Sequence, residues 1–544
     1  MLISHFGVRR FYSYIQQPYF TLLVISLIGL GLRLINISAQ DFWGDEIYAL
    51  SIVRHFSRFQ DLLEFLKFAD AYPPLYYWFL YIIAHNFGYA NWVLRILPLL
   101  FGVATIPLVY ICAKSFFNQR TALLSAFFTA LLPINVHFSQ VIRPYIIYSF
   151  IALFCLLCYW NYFQNHNKRW LFFYILSSII GLYLHYSFLL FLIPLSAVWF
   201  FQIIYYRSTN FSRYFVIWLV THASIALAFL YWLPFFLYKF WGLGQYSFYG
   251  YARGGFPIMR PFDVVTTTID QLIWFNKHQI VNLVSLVAVW IFKIFFIIAV
   301  GWELLHFTGQ TKQWIKDRAF PLLLLLWLIF SSMAFYFITP LSIPYTPAPE
   351  QPILYVSILI VILLAAIIDQ MPIRLFILLS VLYVVSLTTF LWAVVENDAW
   401  SDPSYTTRDN VEFINNNYQP GDLVVVGNVI TRTDFNYYLR PDTESVPFYP
   451  IPFLAQDEFS TRDTLGIVEN EFHFRIAPIS QKEAFLKFDM LMKKYKPKRV
   501  WLAYFPWRWY ADHLFDKHGW HKKFSSNHPL LPVDLWESPS LKKK

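Results

Sequence analysis

Six acids, Asp41, Asp45, Glu46, Asp61, Glu64 and Asp70, lie within one short segment, whereas the first 395 residues together hold only 12. That segment follows a long apolar run, and a carboxylate beside apolar helices is costly unless solvated, paired or put to use. Asp45 and Glu46 stand in DFWGDEIYAL, flanked by Trp43 and Tyr48, and the pattern runs on as a helix through Arg58. Adjacent carboxylates at a helix start can hold a divalent cation, or one can serve as a general base. A base must reach an acceptor hydroxyl at hydrogen-bond distance, and apolar surroundings raise its pKa toward the working range. Without chemistry the same pair caps the helix and complements its dipole. Asp61, Glu64 and Asp70 serve equally well as solvated loop acids.

Cations and rings that could face such a base come later. AYPPLYYW at 71–78 places Tyr72 before a double proline, which fixes the chain at the entry to a helix as a rigid corner. In HFSQVIRPYIIYSF, residues 137–150, Arg143 is the sole Lys or Arg and is followed by Tyr145. A guanidinium there suits a bidentate phosphate contact, although an Arg that merely reaches for lipid headgroups reads the same way. His185 and Tyr186, in GLYLHYSFLL, could line the same cavity, and a lone His serves as readily as a structural residue. The segment 239–279 carries Arg253, Arg260, Lys277 and His278 among glycines and tyrosines. It can clamp a phosphate or be plain surface loop.

The elements that must hold these residues are membrane helices. The chain is 58% hydrophobic, 21% aromatic and only 14% charged, outside the range of soluble globular proteins. Apolar stretches long enough to cross a bilayer occur near 19–37, 92–112, 121–138, 145–163, 170–185, 186–206, 214–238, 280–305, 320–338, 353–368 and 375–395, about eleven spans. PLYYWFLYIIAHNFG, 74–88, is too short and reads as an interfacial or half-inserted helix. Lys and Arg recur in every second loop, which puts the N-terminus in the cytoplasm. Residues 38–73, 139–144, 239–279, 339–352 and the tail then lie outside. The first span lacks a small-residue cleavage site and is expected to stay as an anchor.

The formal net charge of +10 resides in the membrane part, where 23 Lys and Arg face 12 acids; the tail has 19 against 20. The excess is a topology signal and not a nucleic-acid footprint. Cys112, Cys155 and Cys158 fall in apolar runs and read as small buried hydrophobes. The acid count marks a domain boundary near 396: residues 1–395 form the transmembrane region with the acidic loop 38–73, and 396–544 a small soluble α/β domain. In the tail, TTRDNVEFINNNYQPGDLVVVGN gives a helix, a Pro-Gly turn and a buried strand at 423–426, and LMKKYKPKRVWLAYF repeats helix and strand. No Gly-rich phosphate loop follows either strand.

WGDEIYAL after the first span, PPLYYW, VLRILPLLFG with Arg95, IRPYIIYSF and a soluble outer tail together resemble the GT-C glycosyltransferases of the family 39 type. That family includes the protein O-mannosyltransferases and the lipid A aminoarabinose transferases. The resemblance covers roughly residues 15–390. It implies a GT-C-like polytopic helical fold and transfer of a sugar from a polyprenyl-phosphate donor to an acceptor outside the cytoplasm. By the resemblance Asp45, with Glu46 beside it, takes the acceptor proton, and attack inverts the anomeric carbon. Arg143, aided by the 239–279 loop, stabilises the leaving phosphate. Arg95, Tyr72, Tyr145, His185, Tyr186, Arg253 and Lys277 complete the expected substrate contacts. The chain departs from the family where relatives place His or Lys beside the double proline, having Ala71 and Tyr72, and where APEQPILYV, 348–356, replaces an Arg-Tyr-Leu segment.

The sequence therefore predicts a multi-pass glycosyltransferase of a bacterial inner or plasma membrane, with lipid, glycan or protein as acceptor and no nucleic-acid partner. A lipid or solute transporter is the competing reading, although conspicuous charges sit at span ends and not at the midplane of broken helices. A non-catalytic assembly subunit is the third.

Overall fold

The computed structural model describes residues 18–38, 44–68, 72–205, 211–238, 318–338, 354–370, 407–426, 445–447, 492–503, 515–525 and 533–539, with Phe42, Leu439 and Met490. In chain order the helices are α1 Pro18–Leu34, α2 Gly44–His55, α3 Phe59–Phe68, α4 Pro74–Phe87, α5 Asn91–Leu94, α6 Ile96–Phe116, α7 Gln119–Leu131, α8 Pro133–Phe138, α9 Tyr145–Asn165, α10 Lys168–Leu184, α11 Leu189–Tyr205, α12 Phe211–Phe229, α13 Ala319–Ile338, α14 Leu354–Ile368 and α15 Thr407–Asn417. The strands are β1 Leu423–Val426, β2 Ser445–Pro447, β3 Arg499–Ala503, β4 His521–Ser525 and β5 Val533–Glu537. The chain divides into two compact units, residues 1–38, 66–241 and 252–399, and residues 39–65, 242–251 and 400–544. Residues 39–65, most of the acidic loop, cluster with the second unit, and Ile47, Leu50, Val53 and Leu62 there are buried.

In the first unit, four described helices are long and apolar enough to cross a membrane: 96–116, 145–165, 186–205 and 211–229. Shorter apolar helices occupy 18–34, 319–332 and 354–368. The expected spans 280–305 and 375–395 lie outside the described residues, as do Arg253, Arg260, Lys277 and His278. The expected span 121–138 is broken, because Pro133 cannot continue α7 and instead starts the short α8. His185 interrupts the apolar run 170–206 as expected: α10 ends at Leu184 and a 3-10 turn, Tyr186–Phe188, leads into α11. The segment 74–87 is a helix of 14 residues with Pro74 in its first turn and Gly88 at φ +92° closing it, its N–H bonded to the Ala84 carbonyl at 3.0 Å. At about 1.5 Å per residue it is shorter than a bilayer core.

α9 is the hub, buried at 15 positions and packed on α6, α10 and α14. α7 packs on α1, α6 and α14. Inside this bundle the Arg33 side chain of α1 is fully buried, and its cost is met by four acceptors. Nε donates to Ser139 Oγ (3.0 Å), Nη1 to the carbonyls of Gly29 and Ala130 (2.9 Å each), and Nη2 to that of Thr129 (3.4 Å). Gln140 returns the contact, its Nε2 donating to the carbonyls of Arg33 (2.9 Å) and Ile35 (2.8 Å). The turn Ser139–Pro144, buried throughout, is thus clamped to the end of α1.

The second unit contains a five-stranded sheet of order β2-β1-β3-β5-β4. β1 pairs in parallel with β2 and β3, and β5 antiparallel with β3 and β4. Both faces of the central strands are covered: Leu423, Val425, Val500, Leu502 and Trp536 on one, Val424, Trp501, Ala503 and Leu535 on the other with Val411 and Ile414 of α15. That is why β1 reads as an unbroken apolar run. The edges carry Pro447 and the exposed lysines of β4, which discourage further pairing.

Candidate active site

In the first unit the clamped turn delivers Arg143 to the start of α9, and the residues around it are aromatic. Arg143 is 3% exposed, and its guanidinium carbon sits 4.7 Å from the centroid of the Tyr72 ring. The hydroxyls of Tyr72 and Tyr145 share a hydrogen bond of 3.2 Å. Tyr72 enters from the double-proline corner before α4, and its ring faces the cation.

His185 occupies the break between α10 and α11 among the same rings. It stacks on Tyr148 at 5.0 Å and lies 5.3 Å from Tyr72 and 5.8 Å from Tyr145. The Ser187 N–H donates to its Nδ1 at 3.1 Å, so the neutral ring carries its proton on Nε2. Tyr148 and Phe191 contact Tyr355, at 6.2 and 5.4 Å. Tyr355 belongs to the segment where the family's pattern breaks, and sequence reasoning did not select it. The structure thus groups Tyr72, Arg143, Tyr145, Tyr148 and His185, with Tyr355 behind.

Two expected residues are turned to other partners. Arg95, 1% exposed between α5 and α6, donates through Nη1 to the Ile37 carbonyl at 2.8 Å, and Asn91 donates to the Ser38 carbonyl at 3.1 Å. Together they fasten the exit of α1. Tyr186 accepts the Trp232 indole N–H at 2.7 Å and packs on Phe236.

In the second unit, Asp45 and Glu46 form the first turn of α2, where carboxylates complement the helix dipole. Asp45 is partly exposed while Glu46 is 1% exposed. Neighbouring residues on a helix point about 100° apart and do not face each other. The pair is therefore poorly disposed to close on one cation, and among the described residues no three His, Cys, Asp or Glu side chains form a metal-binding group. Of the two, Asp45 is the more accessible.

Residues 71–232 match the model of the dolichyl-phosphate-mannose-protein mannosyltransferase family. That span holds every grouped residue except Tyr355. The structure is similar to crystal structures of ArnT from Cupriavidus metallidurans, over 95% of this chain and 98% of theirs. The apo form matches with a TM-score of 0.60 at 11% identity, and the form bound to undecaprenyl phosphate with 0.56 at 13%. No curated protein sequence matches significantly. At such identities the likeness establishes the fold: the chain is an integral membrane protein with the GT-C fold.

Proposed function

We propose that this membrane protein is an inverting glycosyltransferase that takes a sugar from a polyprenyl-phosphate donor and passes it to an acceptor on the non-cytoplasmic face. One observation carries the reading: within a GT-C fold, a buried Arg143 is held on an aromatic face beside a neutral imidazole locked as an Nε2–H donor. Two such donors suit an anion whose charge grows as a bond breaks. The similar ArnT structure bound to undecaprenyl phosphate supports a lipid-phosphate ligand.

The chemistry balances as follows. Asp45 takes the proton of the acceptor hydroxyl as that oxygen attacks the anomeric carbon. The bond from that carbon to the phosphate oxygen breaks, and its electron pair leaves with the polyprenyl phosphate. Arg143 and His185 receive the developing charge. The ring faces of Tyr72, Tyr145 and Tyr148 suit the apolar face of a sugar. One carboxylate suffices, without the pair of a glycosidase. No step is assigned to a metal.

Transfer of labelled sugar from polyprenyl-phosphate donors to a membrane extract, wild type against Asp45→Asn at matched expression, tests the reading. Asn keeps the shape and removes the base, and the expected loss is roughly 10²- to 10⁴-fold. The labelled product identifies the acceptor as protein, lipid or glycan. Undiminished transfer by the variant removes Asp45 from the mechanism. Absence of transfer by either protein across a donor panel, with solute uptake instead, establishes a transporter.

A further inference from the structure

The bundle carries a second charged site, at the opposite end of α9 and α10 from Arg143. α10 and α12 run parallel, since Tyr174 meets His222 and Tyr183 meets Phe229. Their N-terminal turns therefore lie side by side, and His166 contacts Tyr214 at 5.5 Å. These turns hold Lys168, Arg169 and Arg213, all exposed, with no acid in either first turn. Basic residues at helix N-termini oppose the dipole, which favours an anion there.

Nothing in this part of the chain neutralises the cluster. Between Asp70 and Asp263 the sequence contains neither Asp nor Glu. Among the described residues Lys168, Arg169 and Arg213 form no ion pair. Asp369, at the same end, is already engaged by Arg120 (3.2 Å), Asn118 (2.6 Å) and Thr121 (3.1 Å). Near the end of α11, Gln202 is 8% exposed and accepts from Tyr159 at 2.6 Å through Oε1. Along α10 and α12, directly below the cations, Phe172, Leu176, Val216, Leu219 and Val220 are exposed apolar side chains.

We infer that the α10–α12 end binds one anionic phospholipid, its phosphate on Lys168, Arg169 and Arg213 and its acyl chains along the exposed faces of α10 and α12. Cations at the headgroup level beside exposed apolar helix faces match a lipid's two halves. The site is independent of the transferase reading, since it uses none of its residues.

Native mass spectrometry of the detergent-purified full chain, titrated with phosphatidylglycerol or phosphatidylcholine, reads the preference directly. Wild type is expected to hold phosphatidylglycerol at least roughly tenfold more tightly. K168Q/R169Q/R213Q should reduce that ratio to within about twofold, and the charge-conserving K168R/R169K/R213K should keep it. A preference that survives the glutamine variant overturns the inference. So does displacement of phosphatidylglycerol by millimolar free glycerol phosphate, which indicates a soluble-anion site. If the triple variant is not monodisperse, Arg213→Gln alone decides: about a threefold smaller ratio supports the site, and an unchanged ratio sinks it.

Discussion

At the scale of residues, function rests on how side-chain environments separate groups that look alike in the sequence. Asp45 and Glu46 are adjacent acids, yet one is partly exposed and the other almost fully buried. His185 is a lone histidine in an apolar run, and the Ser187 N–H bonded to its Nδ1 fixes it as an Nε2–H donor. Arg143→Lys keeps a charge but loses the planar stack on Tyr72, and transfer should fall roughly 10- to 100-fold with little change in melting temperature. A variant as active as wild type would show that the guanidinium geometry is immaterial. The lone Arg143 and His185 were legible because an ionisable residue in an apolar run stands out. Tyr355 was not, since one tyrosine among 37 carries no signal of its own.

At the scale of elements, the loop before α9 is positioned by a residue that sequence reasoning passed over. Arg33 was counted as part of an ordinary span, although a charge inside such a run was the available clue. Its bonds to Ser139 and to the α7 carbonyls, with those of Gln140, fix the turn that presents Arg143. Gly102 lets α6 approach that turn closely, for an added Cβ would overlap the Ser139 hydroxyl. Gly102→Ala should cost about 1–3 kcal/mol and weaken donor binding, while Gly31→Ala, where a Cβ meets nothing within 4 Å, should be silent. Equal melting temperatures for the two variants would contradict the clamp. Arg33→Met should lower both melting temperature and transfer, because three buried carbonyls and Ser139 lose their donor.

At the scale of the whole molecule, the two units hold themselves together by different physics. The first relies on apolar helices packed around α9. The second is a sheet in which a buried carboxylate is tied down: Asp422 accepts from Arg499 through Nε (2.9 Å) and Nη2 (2.5 Å), from the Trp501 indole (2.9 Å) and from the Gln419 N–H (2.9 Å). Asp422→Ala strands a largely buried guanidinium, and such losses run to about 3 kcal/mol. Limited proteolysis of the full chain should then cut residues 407–537 faster while the α6–α12 helices remain protected; unchanged cleavage of the sheet would show that the network contributes nothing. The GT-C fold itself was legible from a resemblance spread over several motifs, none of which is decisive alone.

The sequence by itself determined that the chain lives in a membrane, because composition and the length of apolar runs are properties that packing cannot alter. It also determined the helix break at His185 and the buried strand at 423–426, since these follow from backbone chemistry and local pattern. Tertiary structure alone decided which side chains meet. Tyr72, Arg143, Tyr145, Tyr148, His185 and Tyr355 come from four separated segments, and their juxtaposition depends on how α4, α9, α10, α11 and α14 pack. It decided likewise that Arg95 fastens the exit of α1, and that residues 39–65 join the second unit. Those outcomes are set by which surfaces bury against which, and no local window of sequence contains both partners.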